Sequence, residues 1–444
     1  MHPSRWLLAA ASSLHGSPLY TTDVEALLEA PPSWFRVVRS FESALREPGE
    51  PASAQEWDLG SLLKAGPLRP HHFLLRSNGA TNPLARGLAA SNSRARFGPA
   101  PLDEWRGKVT AANTPVPDAS RAIAPTALEQ YAACPFRYFL GHILRVGEVE
   151  RPEETVTIEP ATIGSIVHAI LQKFFEETAN RPDPEAPWSA EERAKLHAFT
   201  EEVCRDYEAR GQTGKSLTWR AEQARIRRDL ELLLDRELEE RRIGGFRFLR
   251  AEAAFGVPPS PERPQPLPPA ILPLPNGGAV AFRGYVDRVD VGQGGRLAVV
   301  DYKTGSTRNY EDMKEANPLG GGKFLQLPVY ALAFRDQSTG PVSARYWFIS
   351  EQAGFESKQV TLDDATLHQF ASVVETLLET MGAGYFPAVP GKETWVTGDQ
   401  WNHCRYCPYD LICPAAGRSE TWMADQKDPG LAGFVALSDI GGGS

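Results

Sequence analysis

The chain has 444 residues, of which 42% are hydrophobic and 23% are charged, and its formal net charge is -9. This length allows two or three domains with a sizeable core, and the acidic balance argues against indiscriminate binding to polyanions. No apolar run reaches membrane-spanning length, and five cysteines in so long a chain favour a reducing compartment. The composition therefore predicts a cytoplasmic protein without a membrane segment, which needs a local basic groove to bind nucleic acid.

The first part of the chain, residues 1–118, mixes short apolar helical patterns with loops rich in Pro, Ser and Asn. It contains no cluster of chemically suggestive residues, which predicts an accessory or docking region. A helix is then expected from Thr126, with a break or a new helix start at Cys134 because Pro135 follows it.

Two helical segments come next. Gly164 to Thr178 places its apolar residues on one face with His168 at the border, so the imidazole is predicted to look into a cleft beside the core. Residues 189–242 are long and charged, which predicts a helical insertion outside the core. Four arginines are candidate phosphate contacts, with a solvated helix face as the alternative for the first three: Arg225, Arg227, Arg228 and Arg288.

The pattern then changes to strands separated by turns. A strand over Phe246 to Val257 precedes a proline-rich segment, Pro258 to Pro275, which predicts an extended loop. The remaining predicted elements are strands Ala279 to Val291 and Arg296 to Thr304 joined by a glycine-rich turn, a helix Phe324 to Arg335, and a strand Val342 to Ser350. This order predicts an α/β domain with a mixed sheet flanked by helices.

Strand geometry points to a carboxylate and lysine site. Side chains two apart on a strand share a face, so Asp301 and Lys303 project together, and hairpin pairing brings Asp287 close to Asp301. Two carboxylates this close repel unless a cation lies between them, and Mg²⁺ or Mn²⁺ accepts such ligands, with His168 as a further ligand. The alternatives are an exposed ion pair on the strand and a histidine of the core or surface.

Four of the five cysteines suggest a second metal site. Cys134 stands alone, whereas Cys404, Cys407 and Cys413 form a C-x2-C-x5-C cluster near the other end of the chain. Four thiolates suit zinc or an iron-sulfur cluster, and His403 is an alternative ligand for zinc. Either metal would link the start and the end of the domain and so stabilise it around the sheet. Cys204 is most simply a spare thiol.

These motifs resemble those of the RecB-type branch of the PD-(D/E)XK nuclease superfamily. The matching stretches are Gly164-x-x-x-His168, Gly284-x-Val286-Asp287-Arg288-x-Asp290, Asp301-Tyr302-Lys303-Thr304-Gly305 and Gln326-x-x-x-Tyr330. Glu129-Gln130-Tyr131-x-x-Cys134-Pro135 and the C-terminal cysteines are similar to the iron-sulfur nuclease domain of AddB-type helicase-nuclease subunits. The resemblance covers residues 119–416, leaving 417–444 as a C-terminal tail and residues 1–118 similar to the end of a helicase-like portion.

The resemblance implies a role for each matching residue. His168, Asp287 and Asp301 would be the metal ligands, Lys303 the catalytic lysine, and Gln326 and Tyr330 a supporting pair one helical turn apart. The four cysteines would hold a 4Fe-4S cluster, with zinc as the alternative.

The function implied is a Mg²⁺- or Mn²⁺-dependent deoxyribonuclease that processes single-stranded DNA or DNA ends, with a helicase as its partner. The open alternatives are a non-catalytic DNA-binding scaffold or subunit, a zinc-stapled binding module, and a nuclease of the CRISPR-adaptation type.

Overall fold

The computed structural model describes residues 3–37, 40, 53–64, 83–94, 101–111, 114–147, 157–181, 183, 185–261, 263–394, 400–409, 412–413 and 418–439. The chain divides into two compact units, Met1–Asn92 and Ser93–Ser444. The described part of the first unit is helical, and its last helix crosses the division: α1 Arg5–His15, α2 Val24–Glu29, α3 Ala54–Lys64 and α4 Pro83–Arg94.

The second unit contains helices and strands in a mixed order. Its helices are α5 Pro125–Ala133, α6 Pro135–Tyr138, α7 Pro160–Glu177, α8 Ala190–Ala209, α9 Ser216–Gly244, α10 Gln326–Phe334, α11 Asp364–Gly382, α12 Arg418–Asp425 and α13 Ala432–Asp439. Its strands are β1 Arg247–Phe255, β2 Ala270–Pro273, β3 Ala279–Phe282, β4 Gly284–Val291, β5 Leu297–Lys303, β6 Val342–Phe348, β7 Ser357–Leu362, β8 Glu393–Thr394 and β9 Gln400–Trp401.

A five-stranded mixed sheet forms the centre of this unit, in the order β1-β4-β5-β6-β7. Three neighbouring pairs are antiparallel, and only β5 and β6 run parallel. Helix α10 lies between β5 and β6 in the chain and supplies the crossover that a parallel pair requires. The predicted mixed sheet flanked by helices is therefore confirmed.

Apolar residues cover both faces of this sheet, because alternate side chains of a strand point to opposite sides. On β5, Leu297 and Val299 belong to one core cluster, whereas Val300 and Tyr302 belong to the other. The first cluster also contains residues of α5, α10, α11 and α13, and the second contains residues of α7, α8 and α9. The sheet thus has a helical layer on each side.

Two predictions about the periphery are corrected. Residues 189–242 are part of a core layer, because α9 buries an apolar stripe that includes Leu230, Leu233 and Leu234 while its charged face is solvated. Residues beyond 416 include α13, where Phe434 and Leu437 are buried in the main core. In α9 a narrow apolar stripe is hidden among polar residues, so average polarity conceals it, whereas α13 is largely apolar along its length.

The chain differs from the expected strands at two points. Within the proline-rich segment, β2 pairs with β3 from Ala270 opposite Phe282 to Pro273 opposite Ala279. The expected strand over Ala279 to Val291 is split at Arg283, and β3 and β4 belong to different sheets. The break expected at Cys134 is confirmed, since Cys134 separates α5 from α6. Within the described ranges, no helix is long and apolar enough to cross a membrane.

Candidate active site

The site forms where β4 and β5 separate. Their ladder runs from Val291 opposite Leu297 to Arg288 opposite Val300, so Asp287 and Asp301 are the next facing positions. Beyond the last ladder pair, the Asp287 side chain bonds to β5 in place of the backbone: its Oδ2 accepts a hydrogen bond from the Tyr302 N–H at 2.7 Å. The two aspartates predicted to approach each other therefore both follow directly on the last ladder pair, Arg288 opposite Val300.

His168 reaches this point from α7. Its Nδ1 lies 3.3 Å from Asp287 Oδ1, and its Nε2 lies 3.0 Å from the Tyr302 carbonyl oxygen. Burial lowers the pKa of His168, but the hydrogen bond and charge of Asp287, together with Asp301, outweigh burial and raise this pKa to about 9. The imidazole therefore carries a proton at neutral pH when no cation competes for its nitrogen.

Asp301 and Lys303 form a buried pair on the same face of β5. Lys303 Nζ lies 2.6 Å from Asp301 Oδ2, and the side chains are 21% and 4% exposed. Burial raises the pKa of Asp301 to about 6, helped by the charge of Asp287 and opposed by Lys303. For Lys303, burial lowers the pKa, but the charge of Asp301 contributes to a net rise above its ordinary value. The predicted carboxylate and lysine pair is therefore present, and it is buried instead of exposed.

Helix α10 adds two polar side chains beside the lysine. Lys303 Nζ donates to Gln326 Oε1 at 3.2 Å, and Gln326 Nε2 donates to the Tyr330 hydroxyl at 3.1 Å. Their spacing of four residues places both on one face of the helix. Tyr330 is only 5% exposed, so packing fixes its ring, and its hydroxyl holds the Gln326 amide beside Lys303.

The sequence interpretation did not include Glu252, which the structure places in this group. One ligand atom from each of His168, Glu252 and Asp287 lies within 4.8 Å of the others. Ala251 faces Arg288 and Ala253 faces Val286, so Glu252 faces Asp287 across β1 and β4. Only the register of these two strands could have pointed to Glu252, and an irregularity between Phe248 and Arg250 obscures that register.

The backbone at Glu252 adopts an uncommon conformation. Its φ is +45°, in the left-handed region that side chains other than glycine rarely occupy. Its carboxylate accepts a hydrogen bond from the Arg263 guanidinium at 3.3 Å. Burial raises the pKa of Glu252, and the charge of Asp287 raises it further. Carboxylates are therefore crowded here, as they are around a bound cation.

The donor set fits a divalent cation. The imidazole of His168 and the carboxylates of Asp287 and Glu252 converge, with one ligand atom from each within 4.8 Å of the others, while the buried Asp301 Oδ2 is paired with the Lys303 ammonium at 2.6 Å. Carboxylate oxygens with one imidazole suit Mg²⁺ or Mn²⁺ better than a soft metal. The structure brings together His168, Asp287 and Glu252 as possible ligands, whereas Asp301, the third predicted ligand, lies outside that group and contacts Lys303.

The segments that carry Cys134 and the C-terminal cysteines lie close to each other. Cys134 is largely buried, which raises its pKa, and the charges of Cys407 and Cys404 act in the same direction. The C-terminal segment packs on the residues that follow Cys134, because the Tyr409 hydroxyl donates to the Val146 carbonyl oxygen at 2.9 Å. All four cysteines, including Cys413, are thiols outside any disulfide and are partly buried. Among the described residues, no three of these thiols have their sulfur atoms within 4.8 Å of one another, so their role as metal ligands stays a prediction.

His403, the alternative ligand for zinc, is held by backbone carbonyls. Its Nδ1 lies 3.3 Å from the Val389 carbonyl oxygen, and the Ala133 carbonyl also acts on the ring. Burial lowers the pKa of His403 to about 4. The imidazole is thus a neutral side chain packed among backbone carbonyls.

The four candidate phosphate contacts are all engaged within the protein. Arg288 is 4% exposed, donates to Asp290 and Glu237 at 2.6 and 2.9 Å, and lies 3.4 Å from the Tyr302 hydroxyl. Its assignment to DNA is wrong because the side chain is inside the core. The other three form ion pairs on the helical layer: Arg225 with Glu222 and Asp229, Arg227 with Glu201, and Arg228 with Glu351.

Comparison with known proteins agrees with this geometry. The chain is 33% identical over 216 residues to an ATP-dependent helicase/deoxyribonuclease subunit of Moorella thermoacetica, covering 47% of this chain and 17% of the relative. It is 29% identical over 262 residues to the protein of the same name from Lacticaseibacillus casei, covering 56% and 21%. The chain thus spans about a fifth or less of the length of these relatives.

Among solved structures, the crystal structure of SSO0001 aligns with 63% of this chain and 94% of its own length, at 14% identity and a TM-score of 0.21. The family model described as the PD-(D/E)XK nuclease superfamily matches residues 122–414, which include every predicted site residue from Cys134 to Cys413. With the mixed sheet, the contact of His168 with Asp287 and that of Asp301 with Lys303, this match shows that the chain belongs to the PD-(D/E)XK nuclease superfamily.

Proposed function

We propose that this chain is a Mg²⁺- or Mn²⁺-dependent deoxyribonuclease that hydrolyses phosphodiester bonds, acting as an exonuclease or end-processing enzyme in recombinational repair. One observation carries the proposal: His168 and Asp287 meet at 3.3 Å beside Asp301, whose own carboxylate lies 2.6 Å from Lys303. Family membership and relatives named as deoxyribonuclease subunits support the same activity.

The ligand side chains come from one helix and two strands. His168, Asp287 and Asp301 would hold the cation, and Glu252 lies close enough to contribute. A divalent cation there supplies Lewis-acid chemistry, since it lowers the pKa of water and polarises the phosphodiester. The Asp287 contact with the Tyr302 N–H fixes the carboxylate before any cation binds.

Lys303 is the side chain that acts on the reacting groups. Held between Asp301 and Gln326, its ammonium orients the attacking water or stabilises the negative charge that develops on the phosphate. Gln326 limits where that ammonium can point, and Tyr330 fixes Gln326. Electrostatic stabilisation of this kind is most effective where water is largely excluded, and Lys303 is only 21% exposed.

The DNA substrate and the partner rest on the relatives. Their names describe ATP-dependent helicase/deoxyribonuclease subunits, so we infer that this chain receives single-stranded DNA or DNA ends from a helicase. A cytoplasmic location accords with this role. The same names favour a helicase-nuclease subunit over the non-catalytic scaffold and over a nuclease of the CRISPR-adaptation type.

The four cysteines are proposed to hold a 4Fe-4S cluster, with zinc as the less favoured metal. The charges of Cys404 and Cys407 act on Cys134, which supports a shared group. The single short Cys-x-x-Cys hook favours the cluster over zinc, because structural zinc sites commonly use two such hooks. The role is structural, since the metal group would join the start and the end of the family domain.

The decisive test of the activity is cleavage of end-labelled linear DNA. Wild-type protein is expected to degrade it with Mg²⁺ or Mn²⁺ and to stop on addition of EDTA, whereas Asp301→Asn should lose at least about a thousandfold in rate. Asp336→Asn is the matched control because that side chain is 90% exposed. A folded wild-type protein that binds DNA but cuts neither single- nor double-stranded substrates with either metal would support the scaffold and refute the nuclease.

A further inference from the structure

Helix α10 begins with backbone groups that its own sequence leaves unsatisfied. The N-cap residue, Leu325, makes no side-chain capping bond. Leu325 is 0% exposed, so water does not serve its N–H. An outside acceptor is therefore required at the start of α10.

That acceptor is Glu129 on α5, which lies 196 residues before Leu325 in the chain. Its Oε1 accepts hydrogen bonds from the Leu325 N–H at 2.6 Å and from the Gln326 N–H at 2.8 Å. Its charge also favours the N-terminal end of the helix. A side chain of α5 thus caps α10 from outside.

The capped residue is also the one that contacts the lysine. Gln326 is held through its N–H by Glu129, while its side-chain oxygen accepts from Lys303 Nζ at 3.2 Å. We propose that Glu129 is a positioning residue for phosphodiester hydrolysis: by capping α10 it holds the Gln326 amide, and through it Lys303, beside Asp301. This inference rests on the proposed nuclease activity.

The acceptor oxygen matters more than full ionisation of Glu129. Burial raises the pKa of Glu129 to about 7, while the bonds from Gln326 and Leu325 and the charge of Lys303 oppose the rise. A neutral amide in Glu129→Gln keeps an oxygen for both N–H groups. Glu129→Ala removes the acceptor of the buried Leu325 N–H and of the partly buried Gln326 N–H.

Two readouts test the proposal, and the first does not depend on nuclease activity. Hydrogen exchange is measured by mass spectrometry on peptides covering residues 319–334 of the full chain. Glu129→Ala should increase exchange at the start of α10, whereas Glu129→Gln should leave it near the wild-type rate. Thr126→Ala, an exposed position of the same helix, is the control. Unchanged exchange in Glu129→Ala would overturn the capping role.

The second readout is steady-state cleavage of linear DNA by single and double variants. Glu129→Ala should lower kcat about tenfold with KM within about twofold, and Glu129→Gln should retain at least about a third of wild-type kcat. If Glu129 acts through Gln326, the double variant with Gln326→Ala is no slower than Gln326→Ala alone. The positioning role would be overturned if the rate loss of the double variant equalled the product of the two single losses. An unaltered kcat in Glu129→Ala would overturn it as well.

Folding and activity failures remain distinguishable in this design. Should Glu129→Ala not fold, Glu129→Met replaces it, since Met is close to Glu in size and lacks a comparable acceptor. Should the wild-type chain cut no DNA, the proposed activity and the positioning role fall together, and the exchange measurement still decides whether Glu129 caps α10.

Discussion

Asp287 Oδ2 accepts the Tyr302 backbone N–H at 2.7 Å, so a side chain of β4 bonds to the backbone of β5 where their ladder ends. The other oxygen of the same carboxylate faces His168 Nδ1 at 3.3 Å. One aspartate therefore joins the two strands to helix α7, and the candidate site is organised before a cation binds.

The paired His168 should make the stability of the metal-free protein depend on pH. Its pKa is raised from 6.5 to about 9, so the folded chain holds this proton more tightly than the unfolded chain. The resulting stabilisation, at most about 3 kcal/mol, is full below pH 6.5 and is lost as the pH rises to about 9.

Urea unfolding in EDTA between pH 6 and about pH 9.5 measures this effect. The difference in unfolding free energy between wild type and His168→Asn should shrink steadily over that range. Asp287→Asn should show the same loss of pH dependence, because it removes the partner. A difference that stays constant from pH 6 to about pH 9 would contradict the pairing.

At position 252, glycine should give a more stable protein than alanine, which is the reverse of their usual effect on stability in a strand. At φ +45° a Cβ is strained, so Glu252→Gly should be more stable than Glu252→Ala by about 1 kcal/mol. Because both variants lack the carboxylate, the difference between their free energies of unfolding in urea reports the strain of the backbone at this position. An alanine variant as stable as the glycine variant would argue against the strain.

The same two variants test whether Glu252 assists cation binding. Its ligand atom lies within 4.8 Å of those of His168 and Asp287, so its removal should weaken Mn²⁺ affinity about tenfold in titration calorimetry. Equal affinity of wild type and both variants would show that Glu252 does not take part.

Arg288 should matter for folding and not for DNA affinity. It is 4% exposed and bonded to Glu237 and Asp290, so Arg288→Met takes a buried partner from Asp290 and one of two arginines from Glu237, which keeps Arg241, and should cost about 3 to 5 kcal/mol. Arg228→Met is the matched control, since that side chain is 60% exposed and its loss should cost less than about 1 kcal/mol. Thermal unfolding gives the comparison, and equal costs for the two variants would contradict the buried network.

Cys134→Ser should reduce metal content and stability together. The buried thiol has a raised pKa, so binding of a metal group releases its proton and adds binding free energy to folding. Anaerobically purified wild type should be brown with about four iron atoms per chain, and Cys134→Ser should lose most of this iron.

Cys204→Ser provides the control for that experiment, because Cys204 is buried on α8 within the second core cluster. It should keep the iron content of the wild type. One zinc ion per chain in place of iron would decide for the structural zinc alternative.

Local pattern was sufficient for much of the fold and of the site. Alternation along β5 predicted that Asp301 and Lys303 share a face, and helical spacing predicted the same for Gln326 and Tyr330. Both hold because each pair lies on one element, where periodicity alone decides direction. The family motifs included His168 and Asp287, and the side chains of these two residues are in contact.

The sequence pattern could not predict contacts between elements that lie far apart in the chain. Glu129 reaches Gln326 across 197 residues, and Glu252 joins the site only through the register of β1 on β4. Arg288 was predicted as a candidate phosphate contact, yet it is buried, and a carboxylate of α9 and one of its own strand compensate its charge.

The sequence by itself therefore determined the family, the order of elements and the side chains that share a face. Only the tertiary structure decided which charged groups are buried and which partner each one meets. The physical reason is that periodicity depends on neighbours along the chain, whereas desolvation and ion pairing depend on elements that packing brings together.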